Sequence, residues 1–183
     1  MKNLMNIIAF AVLCFSTGEL FAQDSPSHQP YQMPTPQAGE GYWSMYTSRN
    51  GGGQCLLNLP GSNLNYFNLT AYSSTNDQVS SLYIVGGSSM VKFRAIRLWD
   101  NSKKSYGDDW IEIIILRNIA AGERILVADL ERSYQDGNVL VTYHRRDNLT
   151  GKVSSLEAKQ TFFIDGTARP LPADGSFWSP WGG

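Results

Sequence analysis

The chain has 183 residues, 15 Lys and Arg against 16 Asp and Glu, and a net charge of −1 at pH 7. A balance so close to neutral gives no electrostatic basis for binding nucleic acid or an anionic membrane surface. With two cysteines and two histidines in all, a disulfide framework and a typical zinc site are both outside its means.

Residues 1–22 are expected to be an export signal. Lys2 gives a short positive start, Ile7 to Phe15 an apolar run of h-region length, and Leu20-Phe21-Ala22 a small residue at the cut. The run is well short of the roughly 20 residues a membrane span needs. Cys14 follows Leu13 rather than a small residue, which argues against a lipoprotein. The expected destination is therefore outside the cell, or the periplasm of a Gram-negative source. Residues 23–42 form a Pro-rich flexible tail, with Pro26, Pro30, Pro34 and Pro36 among Ser, Gln and Gly and almost no aliphatic side chains.

From 43 to 164 the pattern is that of an all-β domain. Short β-branched and aromatic runs alternate with Gly, Asn, Asp and Ser clusters. Strands are expected at Tyr42 to Thr47, Gln54 to Leu59, Ser80 to Val85, Met90 to Trp99, Trp110 to Leu116, Arg124 to Leu130, Asn138 to His144 and Val153 to Ile164. Ile111, Ile113 and Ile115 alternate with Glu112 and Ile114, a period of two. Asn65 to Tyr72 is the one stretch with the makings of a helical turn. Gly51-Gly52-Gly53 lacks the Lys-Ser/Thr of a phosphate loop and is expected to be a hairpin turn with positive φ angles. Asp136-Gly137-Asn138 is a second turn signal. Many short strands with regular turns indicate a sandwich or barrel.

Residues 165–183 repeat the Pro-rich composition but carry Phe177, Trp178 and Trp181. Tryptophans on a tail either fold back over the domain, the expectation here, or meet a partner; Trp178 and Trp181 are the candidate surface for that partner.

Catalytic chemistry is not expected. His144 and Cys55 could be imagined as base and nucleophile, but no spacing joins them. Cys55, the one cysteine left after export, is expected to be a buried small hydrophobe rather than an intermolecular thiol. Asn68 and Asn148 open Asn-Leu-Thr triplets, glycan acceptors if the source is a eukaryote.

One segment has binding character. Asn76-Asp77-Gln78-Val79-Ser80-Ser81 packs a carboxylate, amide oxygens, turn carbonyls and hydroxyls into six residues, the hard oxygen donors that calcium takes. A polar turn before a strand has the same composition. The segment resembles the Asn/Asp-Asn/Asp-x-x-Ser/Thr-Ser motif of microbial-type βγ-crystallins at every defined position. Upstream, Trp43 to Tyr46 followed by Asn50 and Gly53 resembles that family's first hairpin. Leu59-Pro60-Gly61 and Asn65 to Tyr72 resemble its next loop and short helical piece.

The second half is similar but altered. Trp99 to Gly107 resembles another aromatic hairpin, and Lys152-Val153-Ser154-Ser155 the end of a second hexapeptide. The Asp147-Asn148 pair stands four residues from Val153 instead of one. Tyr46 to Ser80 is 34 residues, Trp99 to Ser154 is 55. Either an extra hairpin is inserted or the fold is only partly of this type.

The resemblance implies a Greek-key β-sandwich and crosswise calcium clamps. Gln78 would ligate through its carbonyl, Ser80 through its hydroxyl, and Asn76 or Asp77 would shape the loop or reach across. The second motif would supply Asp147 or Asn148. One good site and one damaged site are expected, with modest calcium affinity. The implied role is calcium-linked stability or extracellular interaction. The alternative is a secreted toxin or protease-inhibitor-like protein of similar fold.

Overall fold

The computed structural model describes residues 33–62, 64–72 and 74–160. The expected export signal, most of the 23–42 tail, and the 165–183 tail with Trp178 and Trp181 lie outside the described residues. Ten strands form among the described residues: β1 Tyr42–Tyr46, β2 Cys55–Pro60, β3 Leu64–Asn68, β4 Ser81–Val85, β5 Arg94–Trp99, β6 Trp110–Ile115, β7 Arg124–Val127, β8 Tyr134–Gln135, β9 Val139–His144 and β10 Ser155–Gln160. No described helix is long and apolar enough to cross a membrane.

The strands make two antiparallel sheets. One has the order β2-β1-β4-β7 and the other β3-β10-β5-β6-β9-β8. Two four-strand runs underlie this order. In the first run, β1, β2 and β4 share a sheet and the third strand, β3, crosses to the other. In the second run, β5, β6 and β10 share a sheet and the third strand, β7, crosses back. The pair β8-β9 is inserted between β7 and β10 and extends the second sheet past β6. This hairpin occupies the added length between Trp99 and Ser154.

Alternation explains why the sheets face each other. Trp43 and Met45 on β1, Leu57 and Leu59 on β2, Leu82 and Ile84 on β4 belong to the same buried cluster as Ile96, Leu98, Ile111, Ile113, Ile115 and Val141 of the other sheet. Such a two-layer arrangement, with one core between inner faces, is consistent with a β-sandwich. The intervening residues of β5, β6 and β9 point to the outer face.

Turn chemistry follows the sequence. Asn50, Gly51 and Gly53 have φ of 59°, 69° and 73°. Gly51 lies against the Tyr83 ring, where a Cβ would come within 2.3 Å of a ring carbon, so size and backbone both require glycine there. Asp136 closes the β8-β9 turn by accepting from the Asn138 and Val139 amides at 2.6 and 2.9 Å.

Three expectations change. The stretch 65–72, read as a helical turn, forms one over its second half alone, the 3-10 turn Leu69–Ala71 capped by the Asn68 side chain, while its first half belongs to β3. Its pairing with β10, a strand distant in sequence, overrides local propensity. Cys55 is exposed rather than buried. It opens an edge strand, beside the register shift at Met45/Tyr46, and touches Ser44 Oγ and Asn58 Oδ1 at 3.5 and 3.6 Å. Finally, the end of the expected tail is ordered. Ser88 and Ser89 amides donate to the Gly39 and Glu40 carbonyls, Gly61 N donates to Gly41 O, and Met33 packs on the main core.

Candidate calcium centre

Each hexapeptide is held to its own hairpin by the same pair of bonds. Ser80 N donates to Tyr46 O, and Ser154 N to Trp99 O, both at 2.8 Å. Ser81 Oγ donates to Ser48 O, and Ser155 Oγ to Asn101 O, both at 2.6 Å. Ser81 and Ser155 are fully buried. A hydroxyl there ties the folded hairpin to the start of the next strand, which is why serine rather than an apolar residue ends each hexapeptide.

The two hexapeptides also bond to each other. Asp77 N donates to Val153 O at 3.2 Å, and Gly151 N to Val79 O at 3.0 Å. This exchange makes the pieces equivalent about a local twofold: Asn76 with Thr150, Asp77 with Gly151, Gln78 with Lys152, Val79 with Val153. Asp77 and Gly151 share a left-handed backbone, with φ of 57° and 72°, a conformation that Asp tolerates and Gly prefers.

Asp77 reaches across the pseudo-twofold. Ser154 Oγ donates to Asp77 Oδ1 at 3.0 Å and also approaches Lys152 O at 3.3 Å. A carboxylate, a hydroxyl and a carbonyl therefore converge from both hexapeptides. Asn76 Nδ2 holds the other carboxylate oxygen, Asp77 Oδ2, at 2.6 Å. Among the described residues, no donor reaches the buried Asn76 Oδ1. Buried oxygens without donors are costly unless another group satisfies them.

The second hairpin adds negative charge beside this clamp. Ligand oxygens of Asp100, Asp108 and Asp109 lie within 4.8 Å of one another. Burial raises the Asp100 carboxyl above its ordinary pKa, and repulsion from Asp108, Asp109 and Asp77 raises it further, with Lys152 opposing. Asp109 is mainly structural. It is fully buried and accepts from Tyr143 Oη, Arg146 N and Asp147 N at 2.9, 2.7 and 2.8 Å.

Those last bonds explain a correction at the second motif. Asp147 and Asn148 are not brought to the place of Asn76 and Asp77; Thr150 and Gly151 stand there. Asp109 fixes the turn at 146–147, and the Gly151 bond to Val79 sets the register three residues later. Asp147 is 77% exposed and pairs with Lys152 Nζ at 2.7 Å; Asn148 is exposed.

Of the other expected ligands, Ser80 is buried and Gln78 exposed. The clamp that would use Gln78 O and Ser80 Oγ faces Gly151, which has no side-chain oxygen. The nearby carboxylate Glu131 is already engaged by Thr150 N at 2.8 Å and Arg49 at 2.7 Å. The contact sequence reasoning missed is thus Ser154 Oγ, beside Lys152 O, on the Asp77 carboxylate. The signal for it was present in Ser154-Ser155, which matches Ser80-Ser81, while Asp147-Asn148 stands four residues from Val153 rather than one.

The donor set is all hard oxygen, which fits calcium and not a soft or imidazole-seeking metal. Cys55 and His144 are not brought together. Cys55 lies on an edge of the four-stranded sheet, and His144 stacks on Trp110 of the other sheet at 3.7 Å. No protein-family model, curated protein or solved structure matches the chain.

Proposed function

We infer that this is an exported calcium-binding Greek-key module of the βγ-crystallin type, which uses the ion to secure its fold outside the cell. The observation that carries this is the reciprocal bonding of two hexapeptides, with Asp77 from one placed on Ser154 and the Lys152 carbonyl region of the other. The exchange of β3 and β7 between sheets supports the Greek-key assignment. The carboxylate oxygens of Asp100, Asp108 and Asp109, gathered within 4.8 Å of one another, support a cation, since a divalent ion offsets their mutual repulsion.

With few carboxylates, the affinity belongs in the range of roughly 10⁻⁴ to 10⁻³ M found for extracellular modules. At millimolar calcium and a Kd near 0.1 mM, binding stabilises the fold by about 1.4 kcal/mol. Thermal unfolding of residues 23–183 should then shift upward by about 4–6 °C between chelator and calcium. Asp77→Gly keeps the left-handed turn without strain and should abolish the shift. Ser154→Ala should weaken it, and Asp147→Asn should leave it intact. A midpoint indifferent to calcium in the parent chain would sink the calcium reading.

The damaged clamp offers a gain-of-function test. A Cβ at Gly151 would meet only Asp77 O, at 3.7 Å, so there is room for Gly151→Asp. Calorimetric titration should rise from one calcium per chain to two. An unchanged stoichiometry and affinity would show that the two clamps are not equivalent.

A further inference from the structure

We propose that the C-terminal segment of this chain, through the aromatic run at 177–181, docks on the outer face of the six-stranded sheet. The observation is a row of apolar residues that points away from the core and is nonetheless buried. Lys159, Ala95, Ile114 and Leu140 stand side by side across β10, β5, β6 and β9. Ala95, Ile114 and Leu140 are 0%, 1% and 6% exposed and form a cluster separate from the main core. Side chains on an outer face reach that burial only under a further layer.

The described residues supply a hairpin as that layer at one end of the face. There the 100–109 hairpin folds over: Tyr106 meets Trp99 and Trp110 edge-on, and Lys104 pairs with Glu157. At the other end, the described residues packed on the cluster are Phe93 and Leu116, which sit just before β5 and just after β6. The centre of the row needs another cover.

The chain itself arrives at that spot. β10 ends at Gln160, one residue past Lys159 of the same row. From β10 to β9 is three strand spacings, about 15 Å, which about five extended residues can span. Residues 161–183 exceed this several times over. Phe177, Trp178 and Trp181 are far enough along, and they are the large apolar groups such a row would bury. Pro170, Pro172 and Pro180 remove amide donors, so the segment suits a strap across a face rather than an added edge strand. The described N-terminal end is less suited, because Met33 and Pro34 lie beside Tyr42 and Asn58 of the other sheet.

Hydrogen exchange on the full chain as processed on export, confirmed monomeric by sedimentation, tests the assignment. Amides at 177–181 should exchange at least tenfold more slowly than in a free peptide of residues 161–183. Ile114→Lys should remove that protection while β1 and β4 keep theirs. If Ile114→Lys does not fold, Leu140→Lys at the edge of the row serves the same purpose. Exchange at the free-peptide rate in the parent chain overturns the proposal, as does protection indifferent to the substitution that folds. A dimer with an unprotected tail would assign the face to a second copy and likewise overturn it.

Discussion

Arg97→Met is expected to destabilise the protein by about 3–5 kcal/mol, because it leaves a buried carboxylate without its cation. Arg97 and Glu112 face each other across β5 and β6 with side chains 0% and 1% exposed, and Nε donates to Oε1 at 2.8 Å. The guanidinium also donates from Nη1 to Tyr106 Oη at 2.7 Å, so its loss loosens the hairpin that covers this end of the sheet. Against a typical total of about 5–15 kcal/mol, that is a large fraction. Urea unfolding gives the measurement. Replacing both residues by Met should recover most of the loss, since an apolar pair of similar volume carries no desolvation penalty. A single variant within about 1 kcal/mol of the parent would mean that the pair is hydrated in solution, as exposed ion pairs are.

Trp43→Ala is the second large effect, at about 3–5 kcal/mol. Trp43 is fully buried and lies opposite Leu59 and Ile84 on the strands to either side. Its removal leaves a cavity at the centre of the four-stranded sheet's inner face, and the flanking strands are too well paired to collapse into it. Trp43→Phe should cost much less. Among the described residues no acceptor meets the indole Nε1, so phenylalanine keeps most of the apolar surface and gives up no hydrogen bond. Equal losses for Ala and Phe in chemical denaturation would place the stabilisation in the indole N–H rather than in packing. Neither Trp43 nor Arg97 contributes an atom to the proposed calcium clamp, so any stability gained from calcium should survive both substitutions wherever the protein still folds.

The contrast between these positions and the clamp shows where sequence reasoning succeeds. Period-two alternation at Ile111, Ile113 and Ile115 marked an inner face, because side chains on a strand alternate by geometry alone. The strands expected around β1, β2, β4 to β7, β9 and β10 all form, with ends shifted by a few residues, and the 161–164 end of the last one lies outside the described residues. Gly51 and Gly53 announced their turn because few other residues accept positive φ. The hexapeptide at Asn76 to Ser81 was legible as a polar loop of oxygen donors, and the added length in the second half was legible, though not whether it was an inserted hairpin or a departure from the fold.

What the sequence by itself determined, then, is the local and the periodic: an all-β chain, its turns, its apolar faces and one oxygen-rich loop. What only the tertiary structure decided is everything set by pairing between distant segments. β3 became a strand because β10 lies beside it. Cys55 became exposed because its strand is an edge. The added residues became a hairpin on the far side of β6. The partner of Asp77 became Ser154, and the place expected for Asp147 and Asn148 went to Thr150 and Gly151. In each case the deciding contact joins residues far apart in the chain, and its register depends on hydrogen bonds such as Gly151 N to Val79 O. A one-residue slip in register turns a side chain to the other face, and no local pattern of residue types encodes which register wins.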